Sequence, residues 1–320
     1  MKTPTLFYSE KRILSQAANL KTAASRYGVQ VIFPVKSFAH SHFLKLISGF
    51  VDGFAVNSAQ EEKLLRGLRK TVTYDRPGAS TIPSSNKKYA AMTLDAGTSG
   101  MKDPRVFLRL NVCGIARSQS SRLGVDLTTF AKSHANKLHL HVNDPDMKVQ
   151  ELIRFHQKLF REIKKRKVVL EALNIGGGFQ TLSAKEVQQF FSVLRKLWGP
   201  KIELIAEPGR YFTYGAGYAQ AEIISVTDSP RQISTSFSFE LHGRGSFHIG
   251  LFVPPSKGKT SSLLVAGPTA FEEDARTFSV SPTVKFHPGE TLIFTGLSGY
   301  SMSWNHSLQG VPKAKIQFRN

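Results

Sequence analysis

Four short segments hold residue types that do chemistry. In Phe33-Pro-Val-Lys36-Ser-Phe38 a lysine directly follows a β-branched apolar run. An amine at a strand end that faces a pocket loses hydration, which favours its neutral form, a nucleophile for a carbonyl carbon; the plainer reading is a surface lysine. Asn174-Ile-Gly176-Gly177-Gly178-Phe179 lies between a strand-like and a helix-like run. Three glycines let the backbone approach an anion and aim N–H groups at phosphate oxygens; the alternative is a flexible turn. The run is neither a Walker loop nor a Gly-x-Gly-x-x-Gly dinucleotide fingerprint. Glu207-Pro208-Gly209-Arg210 sets a carboxylate at a strand end, then a rigid turn, then a guanidinium that can clamp the same phosphate. An ordinary turn is the competing reading. In Leu138-His139-Leu140-His141, strand alternation puts both imidazoles on one face. They read as a metal pair with no evident third ligand, or as hydrogen-bonded core histidines.

The elements that must position these residues alternate. Residues 10–27 repeat Ile13, Ala17, Leu20 and Ala24 at helical spacing, and Gly28 can stop that helix. Strand-like runs are expected at 29–35, 54–56, 106–110, 138–142, 173–175 and 202–206, with helices near 40–48, 59–68, 149–165 and 184–197. Such alternation predicts a parallel sheet covered by helices, and the number of units favours a TIM-like (β/α)8 barrel. After about Glu222 the texture changes to Ser, Thr, Phe, Gly and Val, as in Thr291-Leu-Ile-Phe-Thr295 between Gly289 and Gly296. A C-terminal all-β domain is expected. The predicted division is an α/β barrel over 10–222 and a β domain over 223–320 together with 1–9.

The chain has 320 residues, 43 Lys+Arg against 23 Asp+Glu, and a formal charge of +20. A field of that sign draws anions. No zinc-finger spacing or basic-zipper heptad accompanies it, so specific nucleic-acid binding is not expected. One cysteine, Cys113, excludes an internal disulfide framework and a multi-cysteine metal site. No apolar run reaches the ~18–20 residues of a membrane span, and Met1-Lys2-Thr3-Pro4 opens no signal core. The cytoplasm is the expected location.

Taken together and in order, the motifs resemble the pyridoxal 5'-phosphate (PLP)-dependent decarboxylases of the alanine-racemase-like fold, the group of ornithine/arginine, diaminopimelate and carboxynorspermidine decarboxylases. The resemblance runs through nearly the whole chain. Its marks are Val35-Lys36-Ser37-Phe38, Val51-Asp52-Gly53 with Ser58 and Glu61, Leu108-Arg109-Leu110-Asn111, Ser121-Arg122-Leu123-Gly124-Val125 and His139-Leu140-His141. It continues in Gly176-Gly177-Gly178-Phe179, Glu207-Pro208-Gly209-Arg210, Gly267-Pro268-Thr269 and Gly299-Tyr300. Phe38 after the lysine, and Tyr300-Ser-Met302 followed by Gly310-Val311-Pro312, are most similar to the carboxynorspermidine branch.

The resemblance implies PLP as cofactor and no metal. It implies that Lys36 holds PLP as a Schiff base, that Gly176, Gly177, Gly178, Arg210 and Tyr300 grip its phosphate, and that His141 stacks on its ring. Glu207 would pair with the ring nitrogen and keep it protonated, which suits loss of CO2; racemases of this fold use an arginine there. Arg122, Asp52 and Glu61 would support this shell. Asp274, with Ala270 and Phe271 beside it, would face the substrate, in a homodimer whose partner's β domain completes the site.

Three departures mark the chain. Ala270 stands where relatives carry a proton-donating cysteine, leaving Lys36, His242, His248 or water as candidate acids. Phe271 replaces an acidic position of the ornithine-type pattern, and Val142-Asn143-Asp144 lacks a phosphate-binding Gly-Ser. The positive field favours an anionic substrate, for which the family precedent is a 3-amino-3-carboxypropyl group on a microcin C-type nucleotide-peptide. Carboxynorspermidine or carboxyspermidine is the alternative substrate, and a non-catalytic PLP-binding regulator the alternative role.

Overall fold

The computed structural model of the protein describes residues 2–76, 78, 81, 88–95, 103–113, 121–142, 144, 146–253 and 258–320. Asn143, singled out above, lies outside them. The chain divides into two compact units, Leu14–Phe212 and Met1–Ile13 with Thr213–Asn320.

Strand β1 (Thr5–Ser9) leads into α1 (Glu10–Tyr27), which ends at Gly28, where φ is +61°. The unit Leu14–Phe212 then lays down β2 (Val29–Pro34), α2 (Ser41–Ile47), β3 (Gly53–Val56), α3 (Ala59–Lys63), β4 (Thr71–Asp75), β5 (Ala91–Leu94) and β6 (Val106–Arg109). It continues through α4 (Leu127–Lys132), β7 (Lys137–His139), α5 (Val149–Lys165), β8 (Ala172–Asn174), α6 (Ala184–Trp198) and β9 (Glu203–Ala206). Strands β2 to β9 close into a barrel in chain order, every neighbouring pair parallel, with Val29 beside Leu204 at the closure. The TIM-like barrel expected from the alternation is thus present.

Capping explains where several helices begin. Asp126 accepts from the amides of Thr128 and Thr129 at the start of α4. Ser183 and Glu186 form a reciprocal capping box on α6. Apolar stripes then seat the helices: Leu152, Leu159 and Ile163 of α5 and Val187, Phe191 and Leu194 of α6 are buried. His156 and Phe190 bring those two helices together with ring centroids 5.5 Å apart. Helix α3 is shorter than the 59–68 stretch read from the sequence. Its last turn opens at Leu64 and runs to Gly67, whose φ of +84° is left-handed.

The barrel's interior mixes three large apolar side chains with three alanines. Ile32, Ala55, Phe107, Ala172 and Ile205 form one buried cluster with Ala91 packed against it, where barrels of this type more often carry bulky branched residues.

The second unit contains β1 with β10 (Gly217–Asp228), β11 (Arg231–Thr235), β12 (Gly250–Leu251), β13 (Ser261–Ala266), β14 (Ala275–Val280), β15 (Thr291–Leu297), α7 (Tyr300–Trp304) and β16 (Lys315–Arg319). Its sheet runs β12-β15-β10-β11-β13-β14, and β1 joins antiparallel to β10 and parallel to β16. Phe237, Phe239 and Phe294 pack at its centre, the first and last stacked at 4.7 Å. Among the described residues no helix is long and apolar enough to cross a membrane.

Candidate active site

The carboxyl ends of the barrel strands gather an unusual density of charge. Lys36 follows β2 in a short 3-10 turn, Val35–Ser37. That turn is seated by Phe38, fully buried and stacked on Phe43 at 4.4 Å. The Lys36 ammonium donates to Asp75 Oδ2 at 3.1 Å, with the lysine side chain 27% exposed and the aspartate's 4%. Burial pushes the Asp75 carboxyl up, but Lys36, His139 and Arg109 outweigh it and hold it well below the usual carboxylate range. Arg109, at the end of β6, is itself buried and lies 3.6 Å from Asp95 Oδ1, just past β5.

Glu207 faces this group from the end of β9. Asn174 Nδ2 donates to its Oε1 at 2.8 Å, while Asn174 Oδ1 accepts from the amide of Gly176, which fixes the way the amide group points. Burial first, then the nearby Asp75, pushes the Glu207 carboxyl up to about 7; the Asn174 hydrogen bond and Lys36 oppose it. A carboxyl of that kind keeps or gives a proton near neutrality. His139 Nε2 lies 3.7 Å from Glu207 Oε2, and the ring is fully buried with neither nitrogen hydrogen-bonded. Burial drives it down to about 4 against the pull of Asp75, so it is neutral at pH 7. His141 is likewise pushed down to about 3, by burial and then by Arg109 and Lys36. Among the described residues no group of three or more His, Cys, Asp or Glu is placed to hold a metal ion, and His139 lies in the core without a hydrogen bond.

The glycine turn is required by the packing. Gly176 has φ +65°, and a Cβ there would stand 2.3 Å from the Leu140 carbonyl oxygen. Gly178 has φ +88°, with a Cβ meeting the Val142 carbonyl oxygen at 2.7 Å. Any side chain would therefore push β8's turn away from the segment after β7. At Gly177 an added Cβ would stand 3.0 Å from the Glu207 carbonyl oxygen, and the Glu207 amide donates to Gly176 O at 2.7 Å. Arg210, half-buried, opens the 3-10 turn Arg210–Thr213 just beyond.

Several expected supporters lie elsewhere. Asp52 precedes β3, at the opposite end of the barrel from Lys36. There it accepts from Lys21 at 2.7 Å and from the Val31 amide at 2.8 Å, holding α1 and β2 together. Arg122 is exposed, on a loop tied by Asn111 Nδ2 to Ser121 O and outside the buried cluster. Glu61 mainly caps α3, accepting from the Asn57 amide, although Lys36 and Asp75 act on its charge.

In the other unit, the Asp274 carboxylate is engaged by its own surroundings. It is 2% exposed and accepts from the amides of Phe239, Glu240 and Thr269 and from the Thr269 hydroxyl. Ala270 and Phe271 are exposed on the same turn. Tyr300 begins α7 and lies against Gly245, whose φ of +82° and missing Cβ permit the approach. His242 is no candidate acid: Nδ1 accepts from the Ser238 amide, Nε2 bonds Pro312 O, and the ring is buried.

No protein-family model matches the chain. A probable ornithine decarboxylase of Dictyostelium discoideum is 24% identical over 196 residues, which is 51% of this chain and 41% of that protein's length. Carboxynorspermidine decarboxylase from Campylobacter jejuni, solved with norspermidine, superposes with a TM-score of 0.77 at 15% identity, covering 99% of this chain and 94% of the other. The arginine decarboxylase of Paramecium bursaria Chlorella virus does so with a TM-score of 0.79 at 15% identity, covering 100% and 97%. The chain therefore has the fold of these decarboxylases, a parallel eight-stranded barrel with a separate, mostly β domain.

Proposed function

We propose that the protein is a PLP-dependent decarboxylase that removes the α-carboxylate of an amino-acid moiety. The observation that carries this reading is the pairing, at one end of one barrel, of an amine at Lys36 with a buried carboxyl at Glu207 that titrates near 7. The residues fit PLP. Lys36 would hold its aldehyde carbon, the glycine turn with Arg210 would hold its phosphate, and Glu207 its ring nitrogen. When bound, PLP supplies an electron sink for the bond to the departing carboxylate. Around it, Asp75 keeps the Lys36 ammonium oriented, and Asn174 keeps Glu207 Oε1 fixed so that Oε2 holds the proton. Neutral His139 packs beside Oε2 without adding a positive charge there.

The net charge of +20 supports an anionic substrate, a 3-amino-3-carboxypropyl group on a nucleotide-peptide of the microcin C type. The exposed Phe247, Phe252, Phe271 and Trp304 support a homodimer. The test is an absorbance spectrum with PLP, with CO2 release followed from an aminocarboxypropylated nucleotide and from carboxynorspermidine. A visible band that is lost in Lys36→Ala, with CO2 from the nucleotide, is the expected result. CO2 from the polyamine alone overturns the charge argument and keeps the class; a band with no CO2 from either compound moves the PLP-binding regulator reading to the front, and no band overturns the class.

A further inference from the structure

The barrel is hollow below its charged end. A cavity of about 100 Å³ reaches from Gln30, Thr71 and Glu203, exposed where the strands begin, up to Asn174 and Glu207. The cause is legible in the strands: Thr73, Ala91 and Thr93 line it where larger side chains would fill the axis. The space exceeds by several-fold the ~10–15 Å³ that one water needs. Its wall is mixed: Ile32, Phe107 and Ile205 line it beside the threonines and Lys137, and the Thr73 hydroxyl is buried and without a hydrogen-bond partner. Polar cavities with unsatisfied groups hold water, whereas dry ones are lined by hydrocarbon. At the far end stands the Glu207 carboxyl, pushed up to about 7 by burial, with Oε1 already engaged by Asn174.

We propose that this bore is a water-filled proton path joining the Glu207 carboxyl to solvent at the amino-terminal mouth of the barrel, with the Thr73 and Thr93 hydroxyls as its stations. The carboxyl O–H bond breaks as an O–H bond to the adjoining water forms, and a proton leaves at the mouth; uptake is the reverse. The path itself needs no cofactor. Its bearing on catalysis rests on the function proposed above, in which a ring nitrogen would cover Glu207 from the other side and leave the bore as its way to water.

Two measurements on the ligand-free protein test it. A high-resolution crystal structure of the wild type is expected to show a file of ordered waters on Thr73 Oγ1 and Thr93 Oγ1 that reaches Glu207. Krypton density filling the bore of a pressurised crystal would instead overturn the proposal. Infrared spectroscopy then follows hydrogen–deuterium exchange of the protonated Glu207 carboxyl, its band assigned by Glu207→Gln. Ala91→Leu, which plugs the bore, is expected to slow that exchange tenfold or more, and an unchanged rate overturns the proposal. If Ala91→Leu does not fold, Thr73→Val gives the same reading at nearly constant volume. A water file together with no PLP band would leave the path standing and remove the decarboxylase.

Discussion

Glu207→Gln should make the protein more stable at alkaline pH while leaving it nearly unchanged in acid. Burial raises the wild-type carboxyl from 4.5 to about 7. Below 4.5 the group is protonated in both folded and unfolded chains and adds nothing. Between 4.5 and about 7 the folded chain binds the extra proton, so stability falls as pH rises, and above 7 the full burden of a buried carboxylate is in place. At about 1.4 kcal/mol per tenfold in proton concentration, that burden is roughly 3 kcal/mol. Glutamine has the same shape, keeps the bond from Asn174 and cannot ionise. His139 titrates with the opposite sign: burial lowers it from 6.5 to about 4, so its contribution is lost as pH falls through that window. The two slopes overlap in the wild type, and subtracting the variant isolates Glu207. Urea unfolding of both proteins should show the variant gaining about 2–3 kcal/mol relative to wild type between about pH 5 and about pH 8. A difference constant to within about 0.5 kcal/mol over that range would refute the claim that Glu207 is held neutral in the fold.

Further outcomes follow from single contacts. Gly176→Ala combines a left-handed φ of +65° with a Cβ 2.3 Å from a carbonyl oxygen, and should cost about 3 kcal/mol or more by urea unfolding. Asp75→Ala leaves the Lys36 ammonium without its buried partner, and a loss of about 3 kcal/mol is expected in the same assay. Asp274→Ala strips four hydrogen bonds from the turn that carries Ala270 and Phe271, and should lower the thermal midpoint of unfolding with a loss of roughly 3 kcal/mol. Phe271→Glu should shift sedimentation toward the monomer relative to wild type, as the proposed homodimer requires of that exposed ring.

The chemistry written on strand ends was easier to read than the strands themselves. Lys36, the glycine turn and Glu207 announce themselves because each breaks an apolar run with a residue type that a fold has no need of there. Strands β4 and β5 escaped the sequence reading: Thr71-Val-Thr-Tyr-Asp75 and Ala91-Met-Thr-Leu94 are short and carry Thr and Ala on the inward face. With them went Asp75 and Asp95, which terminate those two strands and pair with Lys36 and Arg109. A signal was present, a carboxylate closing a β-branched run, as at Glu207. The surroundings of Asp274 were not legible either, since a motif position says nothing about how many amides already surround the carboxylate. The same holds for Asp52, because strand direction decides which end of the barrel a residue occupies.

The pairing of β1 with both β10 and β16 has a consequence for how the chain is made. Residues 5–9 have no strand partner until residue 217 has emerged, so the whole barrel is synthesised between the two halves of the other unit. At about 5–20 residues per second, the wait is on the order of 10–40 seconds, ample for a barrel to close. Throughout it Leu6, Phe7 and Tyr8, fully or almost fully buried in the finished sheet, stand on an open strand. The first strand thus waits for a partner until the barrel strands have been made, and a ribosome-bound chain paused shortly before residue 217 leaves that strand open.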